Sequence, residues 1–364
     1  MNSRIAYIIA VVFLVAGWWL YYSRYTATKV PPVVKQPIQP SPTEATTPSP
    51  TPVPHTQSLF IPYWADVTGN ETFDGYDRLI YFGLTANRSG IVTSDQGYTK
   101  FDAFLQLSAP GRQKWVAVRM LDSDLNTNII KDEKAWEPIA KGMIATVKDN
   151  KLDGIVFDFE LTGIAFDSLT NDITKFYRYL YDATKNEQIP FAITMYGDVI
   201  SRHRPYDIAR LRYLCNEMMI MAYDFHKSRG EPGPNFPLAG KDTYGYDMHL
   251  MADDFLKYVP AENLSVIFGM YGYDWTVDER KRPISQAKAV TLTQINDKFV
   301  SNCQLKNCVL TRSEAAGENE VDYVDQYDGL HVVWYEDEES VKRKTEYLES
   351  RGITKYARWA YGYF

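Results

Sequence analysis

Short apolar runs alternate with longer polar, helix-compatible stretches from residue 57 to residue 364. Near-continuous apolar runs separated by helical patterns are typical of a parallel sheet that is covered on both faces. The pattern predicts eight strands, at residues 58–64, 78–84, 115–120, 154–160, 191–196, 217–223, 265–271 and 357–361. Helical periodicity over residues 167–186, 247–258 and 338–351 separates several of them.

Eight strands alternating with helices within residues 57–364 predict an α/β fold of the (β/α)8 or TIM-barrel type. An open, doubly wound sheet is the alternative architecture. No G-x-G-x-x-G or P-loop sequence follows any of the predicted strands, which favours the barrel. In a barrel the active site lies at the carboxyl ends of the strands, so the residues that end each apolar run are the candidates for function.

The amino-terminal region predicts a membrane anchor in residues 1–26. Residues 5–22 contain no charged side chain, and as a helix they span about 27 Å, enough to cross a bilayer core. Trp18 and Trp19 stand near one end, where interfacial aromatic residues belong. We expect a single-pass cell-membrane protein whose long carboxyl part lies on the extracytoplasmic side. A cleaved signal peptide is the alternative.

A proline-rich segment follows this apolar run. Residues 27–56 hold nine of the 19 prolines of the chain, interleaved with serine and threonine. Such a composition cannot form a core and favours extended polyproline II structure. The sequence therefore predicts three parts, namely an anchor over 1–26, a disordered linker over 27–56 and a catalytic domain over 57–364.

Charge and cysteine content exclude several classes of protein. The net charge is −7, and because residues 1–56 hold four basic residues and one acid, the remainder carries −10. So acidic a domain is a poor phosphate binder, and nucleic acid is not an expected partner. Three cysteines exclude a disulfide-built scaffold and a cysteine-rich zinc site. Cys303 and Cys308 could form a disulfide or remain two free thiols.

Aromatic residues make up 14% of the chain, which fits a large core or a cleft that stacks on sugar rings. Several of them stand with acids where the predicted strands end. The candidates for substrate binding on this basis are Tyr63, Asp224, Tyr271, Trp275 and Trp359. The histidines show no metal-ligand spacing, and we expect no metal site.

The fourth predicted strand ends in two acids, Asp158 and Glu160. Because side chains alternate along a strand, both acids point to the same face, with their Cα atoms about 7 Å apart, while Phe157 and Phe159 point to the other. Mutual repulsion and partial burial raise the pKa of one member of such a pair. A carboxyl group that stays protonated near neutral pH is what acid catalysis of glycosidic cleavage requires.

These residues resemble a known family. The sequence DGIVFDFE over 153–160 resembles the D-G-x-D-x-D-x-E signature of glycoside hydrolase family 18, the chitinase-like enzymes. The sequence MAYD over 221–224 is similar to the M-x-Y-D motif of that family, and Trp359 resembles its sugar-site tryptophan on strand 8. The runs over 271–275 and 331–342 are most similar to members that act on bacterial peptidoglycan.

The resemblance implies a substrate-assisted retaining mechanism in a membrane-anchored glycosidase. Glu160 would be the general acid and base, Asp158 would hold the acetamido N–H of the substrate, and Tyr223 would hold the acetamido oxygen. The substrate must then carry an N-acetyl group, as chitin and peptidoglycan do. The implied partners are an N-acetylated polysaccharide or peptidoglycan and, through residues 5–22, a lipid bilayer, with no metal or organic cofactor.

Two departures from the family pattern are visible. Val156 stands where the family has an acid that hydrogen-bonds the middle aspartate, and the S-x-G-G pattern expected on strand 3 is absent around Arg119. A lectin-like relative that binds glycans without cutting them is therefore an alternative, and a structural wall-tethering protein is a third. Between the last two strands we expect a helix and a hairpin rather than the larger α+β insertion of the family, and hence a shallow cleft.

Overall fold

A computed structural model describes residues 55–69 and 71–364 of the protein. The expected anchor over 1–26 and nearly all of the expected linker lie outside these residues, so both stay predictions. Across residues 55–69 and 71–364, none of the helices combines the length and the apolar character that crossing a membrane requires.

The main sheet is a closed barrel of eight parallel strands, which confirms the predicted (β/α)8 fold. Its strands are β1 (Thr56–Pro62), β2 (Arg78–Asn87), β4 (Gln113–Met120), β5 (Gly154–Phe159), β6 (Phe191–Tyr196), β7 (Glu217–Ala222), β8 (Leu264–Gly269) and β14 (Lys355–Trp359). Each neighbouring pair is parallel, and β1 pairs with both β2 and β14, which closes the ring. The short β3 (Gly90–Ile91) pairs antiparallel with the end of β2.

Helices connect the barrel strands and cover their outer faces. They span Gln96–Thr99, Phe101–Gln106, Ser123–Ile129, Trp136–Asp149, Asp167–Asn186, Ile208–Leu211, Lys241–Tyr244, Met248–Leu256, Leu292–Ile295 and Glu338–Ser350, with 3-10 turns at Glu133–Ala135 and Ala261–Asn263 and a π turn at Asn296–Val300. The helix Asp167–Asn186 has the predicted bounds, and its buried stripe includes Phe176 and Tyr177. These two rings pack edge-on against Phe157 of β5, which shows that this residue faces outward.

The barrel interior is filled by the alternate residues of the strands. The buried set is Phe60, Ile80, Phe82, Trp115, Ala117, Val156, Ala192, Met219, Met221, Ile267, Ala357 and Ala360. Interior side chains of this kind make the barrel a packed core rather than a pore. Functional groups are therefore confined to the level above this plug, at the carboxyl ends of the strands.

An ion pair lies inside the opposite end of the barrel. Arg78 opens β2 and Glu217 opens β7, and their side chains form two hydrogen bonds of 3.1 and 3.0 Å. Both are buried, and the Arg78 guanidinium stacks 4.2 Å above the ring of Trp115. Because β2 and β7 stand on opposite sides of the ring of strands, this bidentate pair braces the barrel across its interior.

The chain between β8 and β14 corrects one expectation. The expected helix is present at Glu338–Ser350, but in place of a hairpin the chain forms a five-stranded antiparallel sheet, here called the inserted sheet. Its strands are β9 (Tyr271–Val277), β10 (Lys288–Thr291), β11 (Lys306–Arg312), β12 (Asn319–Val324) and β13 (Leu330–Tyr335). The edge strands β10 and β11 are largely exposed and carry no apolar run, so hydrophobic patterning gave no signal for them.

Cys303 and Cys308 form a disulfide within this region, just before and inside β11. The sequence left the pairing open, and the bond closes a loop of only four intervening residues. Cys215 is the free thiol among the described residues, and burial raises its pKa to about 12. It therefore stays protonated and unreactive at neutral pH.

We expect that Arg78→Met lowers the free energy of unfolding by about 3–5 kcal/mol, because it leaves the Glu217 carboxylate buried without its partner. Urea denaturation followed by circular dichroism measures the change. Replacing both residues by Met should recover much of the loss, since no charge then remains buried. Lys141→Met breaks an exposed pair with Glu137 and serves as the control that should leave stability unchanged. Equal effects of Arg78→Met and Lys141→Met would contradict the bracing role.

Candidate active site

Two acids meet at the carboxyl end of β5. Val156 and Asp158 point into the barrel, and Asp158 is only 4% exposed. Phe157 and Phe159 point outward to the helix Asp167–Asn186. Glu160 follows the strand and is half-buried. The alternation predicted from the sequence is confirmed, and it places one carboxyl group deep in the barrel mouth with the other next to it.

The pKa of Asp158 lies well above the usual value for an aspartate. Burial, reinforced by the charge of Glu160, raises its pKa to about 7, although a hydrogen bond from Thr194 and the attraction of Arg119 oppose the rise. The Thr194 hydroxyl donates to Oδ1 of Asp158. Asp158 therefore keeps its proton until the pH approaches 7.

The departure at position 156 is visible in the packing. Val156 is fully buried, and its Cα partners on the neighbouring strands are Ala117 and Ala192. None of these side chains can hydrogen-bond Asp158. Thr194, two residues further along β6 than Ala192, supplies the hydrogen bond instead. The sequence analysis did not identify Thr194, because a threonine in an apolar strand carries no signal by itself.

Glu160 is oriented by a tyrosine. The hydroxyl of Tyr196 donates to Oε2 of Glu160 at 2.9 Å. Burial and the charge of Glu160 raise the pKa of Tyr196 far above its usual value, so this hydroxyl remains a donor. The guanidinium of Arg204 lies 4.1 Å above the Tyr196 ring and is itself fixed by hydrogen bonds of 2.9 and 3.3 Å to Asp198. Sequence reasoning missed all three of these supporting residues.

The backbone at the end of β5 is pinned on both sides. The hydroxyl of Tyr206 accepts a hydrogen bond from the backbone N–H of Leu161 at 2.8 Å and donates to the carbonyl of Phe159 at 3.0 Å. The side-chain amide of Asn126 donates to the carbonyl of Glu160 at 2.7 Å. These bonds bracket Glu160, so its carboxyl group is presented from a rigid segment rather than from a mobile loop.

Tyr223 and Trp359 line the same mouth of the barrel. Their rings are nearly parallel, with centroids 6.3 Å apart and an interplanar angle of 17°. Burial and the charges of Asp158 and Glu160 raise the pKa of Tyr223 well above its usual value, so its hydroxyl stays protonated. The structure thus brings the predicted residues Tyr223 and Trp359 together with the two acids.

Asp224 follows Tyr223 and is bound by two tyrosines of β9. Its Oδ1 accepts hydrogen bonds from the hydroxyl of Tyr273, at 2.8 Å, and from that of Tyr271. The predicted residues Asp224 and Tyr271 are therefore brought together, with Tyr271 itself buried. Tyr273 was missed, although strand alternation places it on the same face as Tyr271.

Trp275 does not lie in the cleft, so this prediction is wrong. Its side chain is fully buried in the core of the inserted sheet, and its indole N–H donates to the carbonyl of Gly230 at 3.1 Å. The exposed tryptophan near the cleft is instead Trp64, which is 39% accessible. Its ring centroid lies 6.0 Å from that of Trp359. The sequence alone could not show which of these tryptophans is exposed and which is buried, because burial of a tryptophan depends on tertiary packing.

Tyr63 lies at the edge of the site rather than beside the two acids. The guanidinium of Arg119 lies 4.9 Å above its ring, and its ring centroid is 5.0 Å from that of Trp64. Tyr63 also lines a separate cavity of about 240 Å³ together with Lys100. It reaches the cleft only through these two neighbours.

A small cavity of about 60 Å³ lies between Glu160, Tyr196, Arg204, Tyr223 and Asp224. These walls present two carboxyl groups, a cation and two phenols, which can hold a small polar group of a ligand by several hydrogen bonds. This chemistry, next to the buried acid Asp158 with its raised pKa, marks the carboxyl end of the barrel as the candidate active site.

A larger cavity, of about 750 Å³, lies in the inserted sheet and holds Asp274, Lys298, Tyr323 and His331. Asp274, one of its acids, is already engaged, because it accepts a hydrogen bond from Tyr323 and pairs with His331 at 2.8 Å. It contains none of the strand-end acids, and size alone does not make it the site of chemistry. Within residues 55–69 and 71–364, no cluster of three or more His, Cys, Asp or Glu side chains could hold a metal ion.

Comparison with curated proteins finds glycosylases. YdhD of Bacillus subtilis (strain 168), described as a sporulation-specific glycosylase, is 26% identical over 234 residues, which cover 64% of this chain and 52% of YdhD. The cortical fragment-lytic enzyme of Bacillus anthracis is 20% identical over 252 residues, 66% of this chain and 53% of that enzyme. The chain therefore spans about half the length of these two relatives.

Among solved structures, the class V chitinase from Nicotiana tobaccum superposes with a TM-score of 0.71 at 14% identity, covering 84% of this chain and 94% of the chitinase. At that identity the similarity shows the shared barrel fold. The family model described as "Glycosyl hydrolases family 18" matches residues 64–363, which include both strand-end acids, Tyr223 and Trp359. The chain therefore belongs to the glycosyl hydrolases of family 18.

Proposed function

We propose that the barrel domain is a glycoside hydrolase that cleaves N-acetylglucosamine-containing glycans, chitin or peptidoglycan, by a substrate-assisted retaining mechanism. The observation that carries the proposal is the geometry at the end of β5, where the buried Asp158, whose pKa is raised to about 7, lies beside the more accessible Glu160. One carboxyl group can then donate a proton while the other carries charge, and that division of labour is what glycosidic cleavage needs.

The placement of Asp158 argues against a direct nucleophilic attack by a protein carboxylate. Asp158 is 4% exposed and is already bound by Thr194, whereas Glu160 is the more accessible of the two. Both acids come from one strand and enter the cleft from the same side, so neither faces the other across a sugar ring. A nucleophile supplied by the substrate, the oxygen of its 2-acetamido group, removes this difficulty.

In the proposed reaction the proton that Asp158 holds in the free protein passes to Glu160 when the acetamido N–H of the substrate binds Asp158. Glu160 then donates this proton to the glycosidic oxygen as the bond to the anomeric carbon breaks. The acetamido oxygen attacks that carbon and forms an oxazolinium ring, whose N–H is accepted by ionised Asp158. The hydroxyl of Tyr223 donates to the acetamido oxygen and fixes its direction of attack. Glu160 then removes a proton from the incoming water, which opens the ring and restores the acid.

The substrate class follows from this chemistry, because only sugars with an N-acetyl group can supply the nucleophile. The polar cavity beside Glu160 and Tyr223 is lined by groups that can form hydrogen bonds with an amide. The relatives named above include a chitinase and a cortical fragment-lytic enzyme. These names support an N-acetylated polysaccharide as the substrate, with the choice between chitin and peptidoglycan left to experiment.

A second function is favoured by one observation. Val156 offers no hydrogen bond to Asp158, so the acid network of the family is shorter by one member in this chain. A lectin-like protein that binds the same glycans and turns them over very slowly would tolerate this loss. Thr194 compensates in part, and the retention of Glu160 favours the enzyme.

We also propose that the protein is a single-pass membrane protein with its barrel outside the cytoplasm. This rests on the uncharged run over 5–22 and the proline-rich segment over 27–56. An anchor with an extended linker would hold the barrel within reach of a surface polymer.

Glu160→Gln should lower turnover about 10²–10⁴-fold, because the amide cannot donate the proton that the leaving oxygen needs. Glycan affinity should survive, since the side chain keeps its shape and its hydrogen bond from Tyr196. Product analysis on chitooligosaccharides and on purified peptidoglycan, with binding measured in parallel, tests this. Glu346→Gln, at an exposed position, is the matched control. A wild-type protein that binds both polymers but cleaves neither would favour the lectin-like function.

The rate should fall as the pH rises through about 7, because Asp158 then loses the proton that the reaction passes to Glu160. Thr194→Val removes a hydrogen bond that favours ionised Asp158, so the pKa of Asp158 rises, the fall moves to higher pH and the maximal rate drops. Thr194→Ser keeps the hydroxyl and should resemble the wild type. Rates on one oligosaccharide between pH 4 and 9 measure the profiles, and identical profiles for Thr194→Val and the wild type would refute this role.

The full-length protein should sediment with membranes and be released by detergent but not by concentrated salt, because an apolar span of residues 5–22 is held by hydrophobic burial. A protein that begins at residue 57 should remain in the supernatant. Mass spectrometry of the amino-terminus provides the control. A soluble full-length product that has lost residues 1–26 would show a cleaved signal peptide instead of an anchor.

A further inference from the structure

The turn that carries Tyr223 and Asp224 has an unfavourable backbone. Asp224 has a φ of 54°, in the left-handed region that a non-glycine residue adopts only at a cost. Its backbone N–H donates to Oδ1 of Asn235 at 2.8 Å, and the N–H of Phe225 donates to the carbonyl of Asn235 at 2.8 Å. Asn235 therefore clamps the turn that presents Tyr223.

Asn235 is in turn fixed from two directions. It is 2% exposed, and its side-chain amide donates to the carbonyl of Gly269 at the end of β8 at 2.9 Å. Its backbone N–H donates to Oε2 of Glu318 at 2.6 Å, and the N–H of Phe236 donates to Oε1 at 2.8 Å. One carboxylate thus holds two successive backbone amides of the loop after β7.

Glu318 belongs to a fully buried charge cluster. The ammonium of Lys344, on the helix Glu338–Ser350, donates to Oε1 of Glu318 at 2.6 Å and also to Oε1 of Glu336. All three side chains have no solvent exposure. Burial alone would lower the pKa of Lys344, but the two carboxylates outweigh burial and raise it, so Lys344 remains charged.

Glu336 is the member that takes up a proton. Burial raises its pKa to about 8, with Lys344 opposing the rise and Glu318 adding to it. Its second oxygen has no hydrogen-bond partner among the described residues. Glu318 lies between Lys344 and the loop after β7, and its two carboxylate oxygens accept hydrogen bonds from the two loop amides as well as from Lys344.

We propose that Lys344 and Glu318 are positioning residues for the cleavage reaction, acting through Asn235 on the turn that holds Tyr223 and Asp224. The inference rests on the proposed function, since Tyr223 is placed there at the acetamido oxygen. Desolvating these ions costs free energy that apolar residues of similar size would not cost. The charged pair fixes the orientation of two loop amides through hydrogen bonds, which an apolar core cannot do.

Lys344→Met tests the role. It keeps an unbranched side chain only one atom shorter, leaves Glu318 without its counter-ion and should free the loop. Misplacement of Tyr223 should then lower kcat about 10- to 100-fold with little change in KM. Arg343→Met removes a partly exposed cation of the same helix and should change neither constant. Leu348→Ala, a buried truncation in that helix, should lower the melting temperature while leaving kcat near the wild-type value.

A double-mutant cycle shows whether the loss of kcat in Lys344→Met depends on Asn235. If Lys344 acts by way of Asn235, the combined variant Lys344→Met/Asn235→Ala should lose no more of kcat than Asn235→Ala alone. Fully additive losses would overturn the proposal, as would a loss of kcat in Lys344→Met no larger than that in Leu348→Ala. If Lys344→Met does not fold, Glu318→Gln, which keeps the shape of the side chain, takes its place in the same cycle.

Hydrogen exchange gives a readout that needs no catalysis. The amides of Asp224 and Phe225 should exchange at least 10-fold faster in Lys344→Met than in the wild type, and Leu348→Ala should not reproduce this local change. Unchanged exchange at these two amides would refute the positioning role. A wild type that cleaves no N-acetylated glycan would refute the proposed function instead, and the exchange data would still decide whether the cluster holds the turn.

Discussion

The burial of Asp158 inside the barrel, next to Glu160, is the constraint on which the rest of the site depends. Both acids follow from the alternation of a single strand, so their separation is fixed by backbone geometry rather than by loop conformation. Proximity and burial together raise the pKa of Asp158 to about 7. The neighbouring strands then supply what the pair needs, a hydroxyl from Thr194 for one acid and a phenol from Tyr196 for the other.

The features of this structure that depend on residues close together in the chain could be predicted from the sequence better than the others. The eight barrel strands are buried on both faces and read as apolar runs, so their positions could be predicted closely. The placement of Asp158 and Glu160 followed from a period of two residues along one strand. In contrast, the exposed edge strands β10 and β11 carry no such pattern. For that reason the number of strands in the inserted sheet was underestimated.

Residues that act through tertiary contacts were the hardest to predict. Trp64 and Trp275 both follow or lie in strands and look alike in sequence, yet one is exposed beside Trp359 and the other is fully buried. Tyr196 gains its role only because β6 lies next to β5 in the barrel. Lys344 and Glu318 are 26 residues apart and would pass for ordinary surface charges in a helix and a loop. Only the fold shows that they meet without water.

The pairing of β1 with β14 has a consequence for how the domain is made. The first and last strands of the barrel are neighbours, with Thr56 opposite Lys355, so the ring cannot close until nearly the whole domain has been synthesised. Until then β1 and β8 each present an unpaired strand edge, which is a template for aggregation. Contacts this distant along the chain also slow folding. The period between the synthesis of β8 and that of β14, which includes the whole inserted sheet, is therefore the one in which the open barrel is most exposed to pairing with other chains.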